Sequence, residues 1–96
     1  MADTLDTAAR ESALGGLKAW IYDPGTEAIS RDFKFKDFSE AFGFITRVAL
    51  AAQQADHHPD WTNSYNRVSI TLSTHSAGGL TGKDIDLAIA IDRLLI

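Results

Sequence analysis

The sequence predicts a single α+β domain in which two β-hairpins make one antiparallel sheet with helices on one face, in the order α-β-β-α-β-β-α. Three observations carry this. Two stretches alternate strictly: Ile29, Arg31, Phe33 and Phe35 against Ser30, Asp32 and Lys34, and Val68, Ile70 and Leu72 against Arg67, Ser69, Thr71 and Ser73. Between them, apolar residues recur at helical spacing from Phe38 to Ala55. At 96 residues the chain is long enough for one modest core and too short for two, so residues 1–96 are read as one domain.

Taken in order, Asp6-Thr7 offers an N-cap and Ala8 to Leu14 are good helix formers, ended by Gly15-Gly16. Leu17 to Tyr22, with Trp20, Ile21 and Tyr22, has a strand composition. Asp23-Pro24-Gly25-Thr26 then makes a turn in which proline presets one dihedral and glycine supplies a positive φ. The strand Ile29–Phe35 completes the first hairpin. Asp37 opens the long helix, with Glu40 three positions later in a capping-box-like arrangement.

That helix carries two apolar stripes. Phe38, Ala41, Phe42, Ile45, Ala49 and Ala52 form one, and Phe44, Val48, Ala51 and Ala55 the other. So wide a face needs cover on two sides, from the first or last helix or from another subunit. Trp61 to Ser64 is a short strand, Ser64-Tyr65-Asn66 its turn, and the alternating run to His75 the fourth strand. Ser76-Ala77-Gly78-Gly79 is a loop. Thr81-Gly82-Lys83-Asp84 resembles a second capping box, and Ile85 to Ile96 is the last helix with Leu87, Ile91 and Leu94 on one face.

Composition narrows the function. The net charge of −4 and the scattering of nine basic residues argue against nucleic acid, which needs clustered Lys and Arg. No apolar run reaches the roughly 20 residues of a membrane span. The acidic, polar stretch Met1 to Arg10 is unlike a secretory signal, and there is no cysteine, so disulfides and thiolate chemistry are excluded. Both point to a cytoplasmic protein.

All three histidines fall between Asp56 and His75. Imidazole is the side chain whose unperturbed pKa lies nearest neutrality, so acid/base chemistry belongs here. His58 precedes Pro59, which steers it into extended backbone and stops the helix near Asp56 or His57. His57 and His58 then point in different directions from one corner, either as an acid/base pair or as a helix cap beside a solvated ring. A zinc site is disfavoured, because adjacent histidines seldom reach one metal and no i, i+4 pair is present. Trp61 and Tyr65 could line a pocket for a flat ring or pack as ordinary strand aromatics. Asp84 reads as the cap of the last helix or as a substrate contact, and Asp56 as a support for an imidazole or a solvated acid.

The residues support a closer comparison. Phe33-Lys34-Phe35-Lys36-Asp37-Phe38, Ala41 to Ala49, Asp56-His57-His58-Pro59-Asp60-Trp61 and Tyr65-Asn66-Arg67 through Leu72-Ser73-Thr74-His75 closely resemble the pterin-4a-carbinolamine dehydratases, over about Trp20 to Leu94. The resemblance implies four antiparallel strands with helices on one side. It also implies dehydration of 4a-hydroxytetrahydropterin to quinonoid dihydropterin, without metal or other cofactor, in tetrahydrobiopterin recycling after aromatic amino-acid hydroxylation. By the same resemblance His57 and His75 are general acids, and His58 binds and orients the pterin and is a candidate acceptor of the ring proton. Asp84 matches a site carboxylate and can serve as cap as well; Asp56 supports His57; Trp20 lines the pocket. One departure is Gln53, where close relatives have a glutamate four residues before the first histidine. Family members are homodimers or homotetramers, and animal relatives stabilise a transcription-factor dimer through their helical face. A binding role, or a pterin-binding relative without activity, is therefore the alternative.

Overall fold

The structure, a computed structural model, describes residues 3–95. Its elements are α1 (Thr7–Leu14), β1 (Ile21–Asp23), β2 (Ala28–Lys34), α2 (Phe38–Ala55), β3 (Asp60–Ser64), β4 (Arg67–Leu72), a short 3₁₀ turn (His75–Ala77) and α3 (Gly82–Arg93). The four strands form one antiparallel sheet in the order β1-β2-β4-β3, so the hairpins meet along β2 and β4. The predicted α+β order is the observed one. Ile96, expected at the end of α3, lies outside the described residues.

The sheet has two unlike faces because its central strands alternate. Ile29 and Phe33 of β2, and Val68, Ile70 and Leu72 of β4, point to one side and are buried. Ser30, Ser69 and Thr71 point to the other, where they are half-buried and, among the described residues, border a hollow lined by strands and loops rather than helices. Over the apolar side, α2 contributes Ala41, Phe44, Ile45, Val48 and Ala52, and α3 contributes Leu87, Ala88 and Ile91. Phe44 is the centre, its ring 4.8 Å from Phe33 and 4.9 Å from Phe35. Phe38, Phe42 and Leu50 of α2 stay outside this core, at 48%, 55% and 67% exposure, so one flank of the helix is uncovered.

Local chemistry explains the element ends. Asp6 caps α1 through the Ala9 N–H, and Asp37 caps α2 through the Glu40 N–H. Glu40 in turn accepts the Lys36 N–H, one residue outside a regular capping box. Helix α2 ends with Asp56 in the left-handed region (φ 51°), and the chain turns out to Pro59 as expected. The first predicted strand shortens to Ile21–Asp23. Leu17 and Trp20 are instead buried through successive tight turns, Leu17 N–H to Leu14 O and Trp20 N–H to Leu17 O. The glycine expectation for the first turn also fails. The Asp23 carboxylate accepts the Gly25 N–H, and the left-handed residue is Glu27 (φ 53°), just before β2. Glycine's freedom is used at Gly78 (φ 79°), which ends the 3₁₀ turn.

One polar node ties the last helix to the sheet. Asp92 of α3 accepts from the buried Trp20 indole at 2.9 Å and from the Arg31 guanidinium at 2.7 Å. Arg31 also lies 4.8 Å over the Phe33 ring, so its charge is held between a carboxylate and an aromatic face. Asp92→Ala leaves a buried indole N–H without its acceptor. We expect a loss of about 2 kcal/mol, read as a fall of several degrees in Tm in a thermal melt; an unchanged melt removes the node as a stabilising element.

Candidate active site

Three chain ends converge to build the site: the C-terminus of α2, the end of β4 and the N-terminus of α3. Helix α3 is capped by Thr81, whose side chain and that of Asp84 form a full capping box. This leaves Asp84 buried, at 0% exposure, a position that an aspartate occupies only when fully partnered. The partners are present. Oδ2 accepts from the Thr81 backbone N–H at 2.9 Å and from the Thr74 hydroxyl at 2.8 Å. Oδ1 lies 2.6 Å from His57 Nε2.

Counting hydrogens fixes the directions. Thr74 has one hydroxyl hydrogen and gives it to Asp84, so the 2.8 Å contact between Thr74 and Thr81 hydroxyls runs from Thr81 to Thr74. Thr81 Oγ1 in turn accepts the Lys83 N–H at 3.2 Å. An ionised Asp84 can only accept, so His57 donates through Nε2 and its other nitrogen, Nδ1, is left to meet a ligand. Asp84 is thus both the helix cap and the partner of His57.

In front of His57 lies a cleft of about 330 Å³, lined by Asp56, His57, His58, Ser73, Thr74, His75, Ser76 and Lys83. It brings the three histidines together, although His75 is separated from the other two by a hairpin. His75 sits on the 3₁₀ turn rather than at the end of β4, which stops at Leu72. Its Nε2 is 3.8 Å from Asp60 Oδ2, both side chains being largely exposed. His58 is exposed, with Nε2 at 3.5 Å from Gln53 Oε1, at the outer limit of a hydrogen bond.

The other expected residues are placed differently. Asp56 lines the cleft, but the carboxylate bonded to His57 is Asp84; Asp56 caps α2 in a left-handed conformation that turns it into solvent. Trp20 does not line the cleft. It is 5% exposed in the core, its ring edge-on to Phe33 and its indole on Asp92. Trp61 is on edge strand β3, paired with Ile70 and bordering a separate shallow depression. Tyr65 is the left-handed residue of the β3–β4 turn (φ 51°), exposed to solvent.

Sequence reasoning passed over Thr74 and Lys83. Lys83 carried a signal, since a cation in the first turn of a helix opposes the helix dipole and asks for another reason to be there. Among the described residues, no three His, Asp or Glu side chains converge closely enough to hold a metal ion.

Fold and site together define a small α+β protein with a histidine cleft backed by a buried, hydrogen-bonded aspartate. The profile of the family described as Pterin 4 alpha carbinolamine dehydratase matches residues 3–94, and the chain belongs to that family. A protein of Rhodospirillum rubrum provisionally named pterin-4-alpha-carbinolamine dehydratase is 58% identical, over 99% of each chain. One of Burkholderia lata with the same name is 56% identical, over 97% of this chain and 91% of its own. A crystal structure of a transcriptional coactivator/pterin dehydratase from Brucella melitensis superposes with a TM-score of 0.92 at 48% identity, covering 96% of this chain and 98% of the other. A pterin dehydratase-like protein identified as a RuBisCO assembly factor shares the fold alone, at 19% identity and a TM-score of 0.68.

The Asp84 network predicts a spectroscopic result. In ¹⁵N-resolved NMR of the histidine rings, His57 should carry its proton on Nε2. Asp84→Ala should abolish that tautomer preference and cost about 1 kcal/mol or more through the lost cap. A His57 spectrum identical in both proteins contradicts the pairing.

Proposed function

We propose that this chain dehydrates a 4a-hydroxytetrahydropterin to the quinonoid dihydropterin by histidine acid/base catalysis, a cytoplasmic step of tetrahydrobiopterin recycling coupled to an aromatic amino-acid hydroxylase. The observation that carries the proposal is the cleft shared by His57, His58 and His75, with His57 bonded to the buried Asp84. Family membership and the names of the relatives support the same reaction.

The chemistry suits such a site. The C4a–O bond breaks as the hydroxyl takes a proton and leaves as water. The N5–H bond breaks as its electron pair forms the C4a=N5 double bond. Atoms and electrons balance within the substrate, so the protein has only to supply one proton and accept another. Asp84 fixes the orientation and tautomer of His57, leaving Nδ1 to exchange a proton with the substrate. His75 acts as the second acid from the other wall. His58 binds and orients the pterin and accepts the N5 proton, with the neutral Gln53 amide beside it. Asp56 and Lys83 at the cleft supply polar contacts for the edge of the ring.

The test is dehydration of freshly generated 4a-hydroxytetrahydropterin followed by ultraviolet absorbance. His57→Ala and His75→Ala should each lower kcat by about 10²- to 10⁴-fold; His58→Ala should raise KM as well. A folded wild type that fails to accelerate the reaction over buffer overturns the proposal.

A second reading rests on the uncovered flank of α2, where the half-exposed rings of Phe38 and Phe42 lie 5.8 Å apart, tilted by 34°. We infer that this flank covers a copy of itself in a homodimer or homotetramer. The Brucella relative's description as a transcriptional coactivator makes a heterologous protein partner the competing occupant. Light scattering should give an oligomeric mass for wild type and a lower one for Phe42→Glu; a monomeric wild type refutes self-association.

A further inference from the structure

The two histidines proposed as acids are held in opposite ways. The His57 side chain is 11% exposed, and its ring meets the buried Asp84 at 2.6 Å. His75 is 83% exposed, and Asp60, at 3.8 Å, is too far away for a hydrogen bond. The cleft adjoins a hollow of about 520 Å³ on the open face of the sheet, and Ser73 and His75 line both. His75 thus stands on the ridge between them. A ring held so loosely takes its place from the backbone that carries it.

That backbone hangs from Thr74. The Thr74 carbonyl accepts the Ala77 and Gly78 N–H groups, each at 3.0 Å. Its own N–H donates to the Gly79 carbonyl at 3.0 Å, so the 3₁₀ turn bearing His75 is tied to this one residue. The Thr74 side chain runs the other way. It is buried, donates to Asp84 Oδ2 at 2.8 Å and accepts from the Thr81 hydroxyl at 2.8 Å. A hydroxyl so engaged acts on the cleft through Asp84, whose other oxygen meets His57.

We propose that Thr74 is a positioning residue that sets both acids: its hydroxyl orients His57 through Asp84, and its backbone places His75. The inference rests on the dehydratase reading. The two halves move together because a β-branched side chain is stiff about χ1, so the hydroxyl follows the Thr74 backbone. Serine at this position retains the donor. Valine retains the branched shape but leaves the Asp84 carboxylate one donor short in a site closed to solvent. The carboxylate is then free to rotate, and the contact that orients the His57 ring loosens.

The experiment follows dehydration by wild type, Thr74→Ser and Thr74→Val, each with and without His57→Ala, at a temperature where circular dichroism shows every protein folded. Thr74→Val should lower kcat about tenfold while changing KM less than about twofold. Thr74→Ser should stay within about threefold of wild type. In the His57→Ala background the valine change should cost no more than about threefold, because a group that acts through His57 has lost its target. Should the valine protein not fold, Thr74→Cys, with its weaker donor, takes its place and should lie between serine and valine. NMR gives a readout independent of turnover: the His57 ring signals and the Ala77 and Gly78 amides should all shift in the valine protein.

A valine loss of the same size with and without His57, or a serine protein as slow as the valine one, overturns the positioning role while leaving the dehydratase in place. No acceleration by wild type overturns the dehydratase reading. The NMR arm then decides the placement, and a His57 ring unmoved by Thr74→Val overturns that as well.

Discussion

The buried carboxylate of Asp84 is the constraint on which the rest of the site depends. A charge without solvent access is tolerated only when its acceptor positions are filled, and here they are filled from three directions. The Thr81 N–H belongs to the start of α3, the Thr74 hydroxyl to the segment between β4 and the 3₁₀ turn, and the His57 ring to the corner just after α2. Satisfying one aspartate therefore fixes the relative placement of three chain segments. The bonds that hold these segments together are the same bonds that set the orientation of the His57 ring at the cleft.

The sheet divides labour between its faces. Its apolar side, with Ile29, Phe33, Ile70 and Leu72, is closed by α2 and α3 around Phe44. Its other side presents Ser30, Thr71 and Asp60, which offer a packing helix little apolar area. The segment from Ser73 to Gly78 lies at the edge of both worlds. It carries Thr74 inward to Asp84 and His75 outward to the ridge between the two hollows. The Thr74–Gly79 bridge and the left-handed Gly78 close this segment back on itself just after His75.

The parts of this structure that were legible in the sequence are those that neighbouring residues decide. The strand alternations, the stripe of α2, the caps at Asp6 and Asp37 and the capping box of α3 all act over a few positions, where spacing alone states the geometry. The limits of such reading show at Leu17–Trp20, whose strand composition is overridden by burial through turns. They show again at Asp23, whose side chain closes the turn that Gly25 was expected to close. Trp20 was placed in the pocket by resemblance, and packing holds it in the core on Asp92.

The sequence by itself determined the α+β order, the core-facing residues of the two central strands, a histidine corner and a capping aspartate at the start of the last helix, because each follows from local periodicity and backbone chemistry. Only the tertiary structure decided that Asp84 reaches His57 across 27 residues of chain, that Asp56 does not, that Lys83 shares the cleft, and that His75 stands between two hollows. The reason is physical. A hydrogen bond or a cavity wall is set by which surfaces packing brings together in space, and spacing along the chain says nothing of that until the sheet and helices have closed on each other.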